Sequence, residues 1–180
     1  MAGRRETTRR EAAEQVVSGL DISTDTLDGP ARLVEMHAAF YGRDWDFGDF
    51  FRDKIAADLQ EFRNALPHQD CRLWFARRAG KTVGSIAIDG RAAAARGAHL
   101  RWFILDDGAR GSGAGARLID TALDFCRARR FPSVYLWTFA GLDAARTLYE
   151  RRGFGLVEQS DARTWGVRVR EQRFVLTLAP

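Results

Sequence analysis

A glycine-rich loop between an apolar run and an amphipathic segment places the strongest constraint on this fold. The run His99 to Leu105 (HLRWFIL) has the composition of a buried central strand, and the loop sequence DDGARGSGAGA follows it. From Ala114 to Arg130, apolar residues recur at helical spacing until Pro132 ends the pattern. A strand that enters a helix through glycines predicts an α/β domain.

The loop from Arg110 to Gly115 favours binding of an anion. Glycines let backbone N–H groups approach an oxyanion closely, and the first turn of the following helix adds unpaired N–H groups and the positive end of its dipole. A pyrophosphate group suits such a site. The same residues are also compatible with a tight turn that only packs the helix against the strand.

Two familiar nucleotide-binding loops do not match this segment. A P-loop requires GxxxxGK followed by Ser or Thr, and this loop contains no lysine. A dinucleotide-binding loop requires GxGxxG in the first βαβ unit and an acidic residue about 20 residues further on, where this chain has Tyr135. We therefore expect neither type of nucleotide binding.

Apolar periodicity predicts the remaining elements. Spacings of three and four residues indicate helices from Pro30 to about Gly42, from about Phe47 to Leu66 and from about Leu142 to Arg152. Alternation of period two indicates a hairpin with strands near 71–76 and 82–88, and further strands at 133–139, near 155–159 and at 168–178. Residues 91–98 have the composition of a loop.

The chain length, 180 residues, corresponds to about one domain of ordinary size. Residues 1–18 are polar and arginine-rich, so we expect a flexible basic tail before a single domain over residues 19–180. No stretch has the roughly 18 consecutive apolar residues that cross a bilayer, and the N-terminus is charged where a signal peptide would be apolar. We expect a cytoplasmic protein with no membrane partner.

Cysteine, histidine and charge exclude several other classes. Cys71 and Cys126 have no CxxC spacing and the histidines are scattered singly, so we expect neither a disulfide framework nor a metal site. The formal net charge is +4, and only Lys54 and Lys81 among the basic residues are lysines. An arginine excess alone is weak evidence for nucleic-acid binding, and we expect no such partner.

Two motifs resemble those of the GNAT superfamily of N-acetyltransferases. Arg110, Gly113 and Gly115 match the pattern Arg/Gln-x-x-Gly-x-Gly/Ala of its acetyl-CoA loop, and AARTLYERRGF is similar to its later segment A-x-x-L-Y-E-x-x-G-F. The second match is carried by Ala145, Leu148, Tyr149, Glu150, Gly153 and Phe154. More narrowly, the likeness is to acetyltransferase domains fused to MarR-type regulators. The resemblance to the superfamily covers roughly residues 30–178 and implies a mixed, mostly antiparallel sheet flanked by helices.

The resemblance also implies an activity. The protein would be an acetyl-CoA-dependent N-acetyltransferase that moves an acetyl group to a primary amine of a small molecule or peptide by direct attack of the amine. Acetyl-CoA would be the co-substrate and no metal would be needed. A homodimer is left open.

The resemblance further implies which residues bind the co-substrate. In the family, the strand before the loop splays from its neighbour and its backbone pairs with the pantetheine arm, and the matching residues here are Phe103, Ile104 and Leu105. The pyrophosphate would lie on the loop and helix start, formed by Arg110, Gly111, Ser112, Gly113, Ala114, Gly115 and Ala116. Leu142 departs from the asparagine that the family often has, which puts one side-chain contact to the cofactor in doubt.

The sequence offers fewer candidate catalytic residues than candidate residues for binding the co-substrate. Tyr149 occupies the family position whose hydroxyl reprotonates the departing thiolate, and a packing role is the alternative. A general base is harder to identify, because the strand before the loop has no acidic residue ahead of Asp106. His99 is a candidate base, and a purely structural histidine is the alternative.

An acceptor site is expected near the first two helices, where aromatic and acidic residues interleave. Tyr41, Trp45 and Asp46 are the candidate acceptor-binding residues, because such a mixed surface favours a cationic amine. A non-catalytic module that binds or senses acyl-CoA is the main alternative to an enzyme. It is favoured by the missing strand acid and by the likeness to regulator-fused domains.

Overall fold

The computed structural model describes residues 19–24 and 27–178. The predicted basic tail, residues 1–18, lies outside the described residues. The described part contains one seven-stranded sheet with helices on both faces.

The sheet is mixed and mostly antiparallel, as predicted. Its strands are β1 (Leu20–Ser23), β2 (Cys71–Arg78), β3 (Lys81–Asp89), β4 (Ala98–Leu105), β5 (Ser133–Phe139), β6 (Gly155–Ala162) and β7 (Val169–Thr177). Their order across the sheet is β1-β2-β3-β4-β5-β7-β6, and β4 with β5 is the one parallel pair among the described strands.

The helices form two layers. They are α1 (Gly29–Trp45), α2 (Asp49–Ala65), α3 (Ala93–Arg96), α4 (Ala114–Ala128) and α5 (Asp143–Glu150). Apolar residues of α1 and α2 such as Leu33 and Phe62 pack with Phe75 and Ala87 on one face of the sheet. On the other face, α4 and α5 pack against residues such as Ile86. Both helical layers follow from the apolar spacing of their sequences.

Two short elements were not predicted. β1 lies in a polar stretch and pairs with the end of β2, where Leu20 is opposite Arg78. α3 is a single helical turn inside the expected loop 91–98. Four residues are too few for a periodic pattern, so only the tertiary structure shows either element.

A bulge interrupts the central strand β4. Trp102 has a left-handed backbone with φ of 49°, which is rare for a bulky residue. The pairing with β3 shifts there, since Ser85 is opposite Ile104 and Ala87 is opposite Arg101. The Ser85 hydroxyl donates to the Trp102 carbonyl over 2.8 Å and so satisfies the carbonyl that the bulge displaces. The strand predicted as buried and central therefore contains a bulge, which no sequence pattern indicated.

The bulge reorients β4 at the centre of the sheet. Leu100 packs on the α4 side, whereas Trp102, two residues later, packs on the α2 side with its ring 5.2 Å from that of Phe62. Within the described residues, β4 pairs with β5 only through Ala98 with Val134 and His99 with Tyr135. Beyond that point the two parallel strands separate and leave a gap between them.

We predict that Ser85→Ala lowers the free energy of unfolding by about 1–3 kcal/mol, because it leaves the Trp102 carbonyl without its donor in a buried place. Urea unfolding measures the change. Ser160→Ala, the same substitution at an exposed position of β6, is the control and stays within about 0.5 kcal/mol of the parent protein. Equal unfolding free energies for the two variants would show that the serine does not hold the bulge.

Candidate active site

The gap between β4 and β5 opens into a cavity of about 500 Å³. Residues of α1, α2, β4, β5, α5 and β7 line it. Tyr41, His99, Phe103 and Tyr149, which sequence reasoning singled out, lie together on its wall. The separation of the parallel strands thus brings residues from distant parts of the chain to one place.

The backbone of β4 faces this gap beyond the bulge. The Asp106 N–H donates to the Val83 carbonyl of β3 over 2.9 Å, so the groups of Asp106 point toward β3. Because N–H groups alternate along a strand, those of Phe103 and Leu105 point the other way, into the gap, and that of Ile104 points toward β3. The Leu105 carbonyl accepts from the Arg110 guanidinium over 3.3 Å.

The glycine loop begins helix α4 as the sequence predicts. Gly111 and Gly113 have φ of 71° and 83°, values that glycine adopts without the steric cost of a side chain. Gly113 is the N-cap, and the first intrahelical bond runs from the Arg117 N–H to its carbonyl over 3.1 Å. The N–H groups of Ala114, Gly115 and Ala116 are therefore available at the positive end of the helix.

Gly115 lets the helix approach the strand closely. A Cβ at this position would lie 3.0 Å from the Leu105 side chain and 3.2 Å from the ring of Phe103. A side chain at this position would require these neighbouring side chains to move by a few tenths of an ångström. The close approach places the N-terminal end of α4 next to the open backbone of the strand.

Arg110 is held between the loop and helix α1. Its guanidinium lies 4.3 Å from the Phe40 ring centroid and 3.0 Å from the Asp107 carboxylate. Burial raises the pKa of Tyr41 to about 12, and the positive charge of Arg110 opposes that rise. The Phe40 ring that Arg110 covers in turn contacts the Tyr41 ring edge-on, with ring centroids 4.8 Å apart.

Tyr149 lies on α5 with only 5% of its surface exposed. Its ring meets that of Phe103 edge-on across the gap at 5.9 Å, and it also contacts the rings of Phe154 and Phe174. Burial raises the pKa of Tyr149 because the phenolate would be desolvated, and the neighbouring Tyr41 raises it further. The hydroxyl therefore stays protonated at neutral pH.

Two histidines line the cavity in the neutral form. Burial lowers the pKa of His99 to about 4, and its ring stacks on Tyr135 at 4.5 Å. Burial also lowers the pKa of His37 to about 4, and its Nδ1 lies 2.9 Å from the Leu33 carbonyl. Since a carbonyl only accepts, Nδ1 carries the proton and Nε2 is the unprotonated nitrogen. Both rings are weak bases in this environment.

The three expected acceptor-binding residues separate in the structure. Tyr41 lines the cavity. Trp45 does not line it but packs edge-on against Phe139, which does, with ring centroids 4.7 Å apart. Asp46 is an exposed residue at the C-cap of α1 with φ of 56°, and its carboxylate does not reach the cavity wall. The acidic residue ends the helix because αL geometry suits Asp.

The cavity also contains charged groups that sequence reasoning missed. Lys54 and Asp58 come from α2, Arg101 from β4 and Glu171 from β7. The Arg101 guanidinium lies 3.5 Å from the Asp58 carboxylate and 4.1 Å from the Trp102 ring centroid. Polar residues at alternate positions of a strand usually indicate a solvated face, so the sequence held no signal for Glu171.

The model of the Acetyltransferase (GNAT) family matches residues 32–154, which include most of α1, the strands β4 and β5 beside the gap, the glycine loop and Tyr149. The chain belongs to this family. A search of curated protein sequences found no match.

Solved GNAT structures share the fold. An acetyltransferase of the GNAT family from Staphylococcus aureus Mu50 superposes with a TM-score of 0.71 at 17% identity, over 89% of this chain and 99% of that one. The Salmonella typhimurium protein yncA, solved with its cofactor acetyl-CoA, gives a TM-score of 0.68 at 15% identity, over 89% and 95%. Ribosomal-protein-alanine N-acetyltransferase from Brucella melitensis gives 0.70 at 15%, over 88% and 99%.

Metal and membrane features are absent from the part of the GNAT chain that the structure describes. Residues 19–24 and 27–178 contain no group of three or more His, Cys, Asp or Glu side chains placed to hold a metal ion. None of the helices in these ranges has the length and apolar character needed to cross a bilayer.

The two neutral histidines predict how stability depends on pH. A histidine whose pKa falls from 6.5 to about 4 on folding binds fewer protons in the folded state, so the free energy of unfolding decreases as pH falls through that range. We expect the free energy of unfolding to decrease by about 2 kcal/mol for each histidine ring between pH 7 and pH 5. Urea unfolding of the protein and of a variant with His37→Gln and His99→Gln measures this loss. A variant that loses as much stability as the parent would contradict the assignment.

Proposed function

We propose that this GNAT protein is an acetyl-CoA-dependent N-acetyltransferase acting on a primary amine of a small molecule or peptide. The observation that carries the proposal is the gap beside β4. Strand backbone without a pairing partner, a glycine loop at a helix start and a buried tyrosine lie around this gap. The acetyl-CoA bound by yncA and the N-acetylation named for the Brucella protein are consistent with it.

The residues present fit acetyl-CoA. The pyrophosphate suits the N–H groups of Ala114, Gly115 and Ala116, where the helix dipole is positive and Arg110 adds a charge. The amide-bearing arm suits the N–H groups of Phe103 and Leu105, because main-chain pairing gives affinity without side-chain demands. The acyl end would then enter the cavity that Tyr149 lines.

Direct attack of the amine on the thioester carbonyl agrees with the residues of the cavity. Both cysteines, the strongest nucleophiles available, are buried, and neither lines the cavity. The C–N bond then forms as the C–S bond breaks. Tyr149 gives its proton to the departing sulfur and recovers one from the attacking nitrogen, so transfer to a neutral amine releases no net proton. An ammonium ion must first lose one further proton to a base.

The high pKa of Tyr149 is compatible with this role. Donation from a phenol to an exposed thiolate of pKa near 8.5 would be unfavourable. In the cavity the thiolate is desolvated as well, and desolvation raises its pKa too. Tyr149 and the sulfur are therefore better matched inside the cavity than in water.

The proposal places the enzyme in the cytoplasm, in agreement with two buried free thiols. A non-catalytic module that binds acyl-CoA is the second candidate. The observation that favours it is the low basicity of His99, which leaves β4 without an effective base. Turnover with a panel of amines separates the two.

We predict that Tyr149→Phe retains CoA affinity and lowers kcat by roughly 10²-fold or more, because positioned proton transfer contributes about that much. The loss should shrink when the donor carries a more acidic thiol, since such a leaving group needs no proton. Release of thiol in the presence of an amine measures turnover, and calorimetry measures CoA binding.

Tyr135→Phe removes the same hydroxyl from a half-buried tyrosine that does not line the cavity, and its turnover should match the parent. A larger loss in Tyr41→Phe than in Tyr149→Phe would assign the proton to the α1 tyrosine instead. A wild-type protein that binds CoA but releases no thiol with any amine would support the non-catalytic module.

A further inference from the structure

Glu171 is a buried acidic residue on the cavity wall. It lies on β7 between Phe139 of β5 and Ser160 of β6 in the strand register. Only 6% of its surface is exposed, yet its side chain lines the cavity. The carboxylate therefore faces the enclosed space and not bulk solvent.

Within the part of the chain that the structure describes, the Glu171 carboxylate has one hydrogen-bond donor and no ion-pair partner. Oε1 accepts a hydrogen bond from the Thr164 N–H over 3.1 Å. Among residues 19–24 and 27–178, Glu171 has no arginine, lysine or histidine nitrogen within ion-pair distance, and Oε2 has no hydrogen-bond donor. Oε2 is therefore available inside the cavity to accept a hydrogen bond from a bound group.

The basic residues that line the cavity lie on its α2 side. The Asp58 carboxylate lies 3.1 Å from the Lys54 ammonium and 3.5 Å from the Arg101 guanidinium. Arg101 also lies 4.0 Å from Asp89, a residue outside the cavity lining that pairs more closely with Arg91 over 2.6 Å. Both basic residues of the lining thus lie beside Asp58 on the α2 side of the cavity. Glu171, on the β7 side, has no basic side chain within ion-pair distance among the described residues.

Aromatic rings surround the same part of the cavity. Phe139, Trp165 and Tyr41 line it, and the Phe139 ring lies 5.5 Å from that of Trp165 and 5.6 Å from that of Tyr41. Ring faces attract cations, and this attraction grows when water is excluded. A carboxylate that has no ion-pair partner and lies among aromatic rings is suited to an organic ammonium ion with an apolar substituent.

We propose that Glu171 is the residue that binds the ammonium group of the acceptor, and that the acceptor is a primary alkylammonium with an apolar or aromatic substituent. The inference rests on the proposed function, because it assigns the acceptor for that reaction. The apolar substituent packs on Trp165 and Phe139, while the ammonium donates to Oε2 of Glu171. Tyr41 lies on the same wall, whereas the exposed Asp46 is not involved.

The test compares a charged amine with a neutral amine of similar size. Phenethylamine is an ammonium ion at pH 7, whereas para-toluidine is uncharged. Glu171→Gln removes the charge but keeps an oxygen that can accept from the Thr164 N–H. The hairpin of β6 and β7 therefore retains this hydrogen bond. Glu158→Gln makes the same change at an exposed position of β6 and is the matched control.

We expect Glu171→Gln to lower kcat/KM for phenethylamine by roughly 10- to 100-fold, mainly through KM, because a hydrogen bond to a charged group is lost. In the same variant, kcat/KM for para-toluidine should change less than about twofold. Glu158→Gln should leave kcat/KM unchanged for both amines. Binding of phenethylamine is also measured on protein saturated with CoA, because CoA has no acetyl group to transfer. Under these conditions Glu171→Gln should bind phenethylamine about 10-fold or more weakly than the wild-type protein does.

The two possible failures are distinguishable. Glu171 does not bind the ammonium if Glu171→Gln binds phenethylamine as well as the wild-type protein does. The same conclusion follows if the variant keeps the wild-type preference for the charged amine. In either case the transferase function stands. If the wild-type protein binds phenethylamine through Glu171 but forms no acetylated amine, the proposed function is wrong and the cation site stands. Loss of CoA affinity in Glu171→Gln would show a structural role and overturn the assignment.

Discussion

The hydrogen bond from Ser85 to the Trp102 carbonyl stabilises the feature on which the site depends. It holds a left-handed residue in the central strand, and a bulge at that point turns β4 away from its parallel neighbour. Without the turn, β4 and β5 would pair along their length and the N–H groups of Phe103 and Leu105 would bond to β5. Backbone strain at one residue thus opens the cavity, in keeping with the general concentration of strained residues at functional sites.

Most of the fold could be predicted because the sequence repeats at the period of each element. The glycine loop, α4 and β5 have strong local signals, and β5 spans the predicted residues, 133–139. The bulge could not be predicted, since nothing in the residue type of Trp102 favours a positive φ. It is imposed by the register with β3 and by the buried hydroxyl of Ser85, which are tertiary constraints.

The candidate site, like the fold, could be predicted only in part. Tyr149 and Tyr41 were predicted, the first by motif resemblance and the second by its aromatic surroundings, and both lie on the cavity wall. Asp46 was expected beside them because it is adjacent to aromatic residues in sequence, but it lies beyond the end of α1 and is exposed. Glu171 was missed because alternation along β7 suggests a solvated position, whereas the cavity wall encloses it. Spacing along the chain predicts neighbours within an element, and it does not show what covers a sheet face.

The central claim is that the open backbone of β4 and the start of α4 together hold an acyl-CoA. Residue-resolved amide hydrogen exchange with and without saturating acetyl-CoA tests it most directly. We expect the amides of Phe103, Leu105 and residues 114–116 to exchange about 10-fold or more slowly with the ligand, because each gains a hydrogen bond. The amide of Ile104, already directed toward β3, and those of the exposed strand β6 should change little. Unchanged exchange at Phe103 and Leu105, with ligand bound and other amides protected, would contradict the claim.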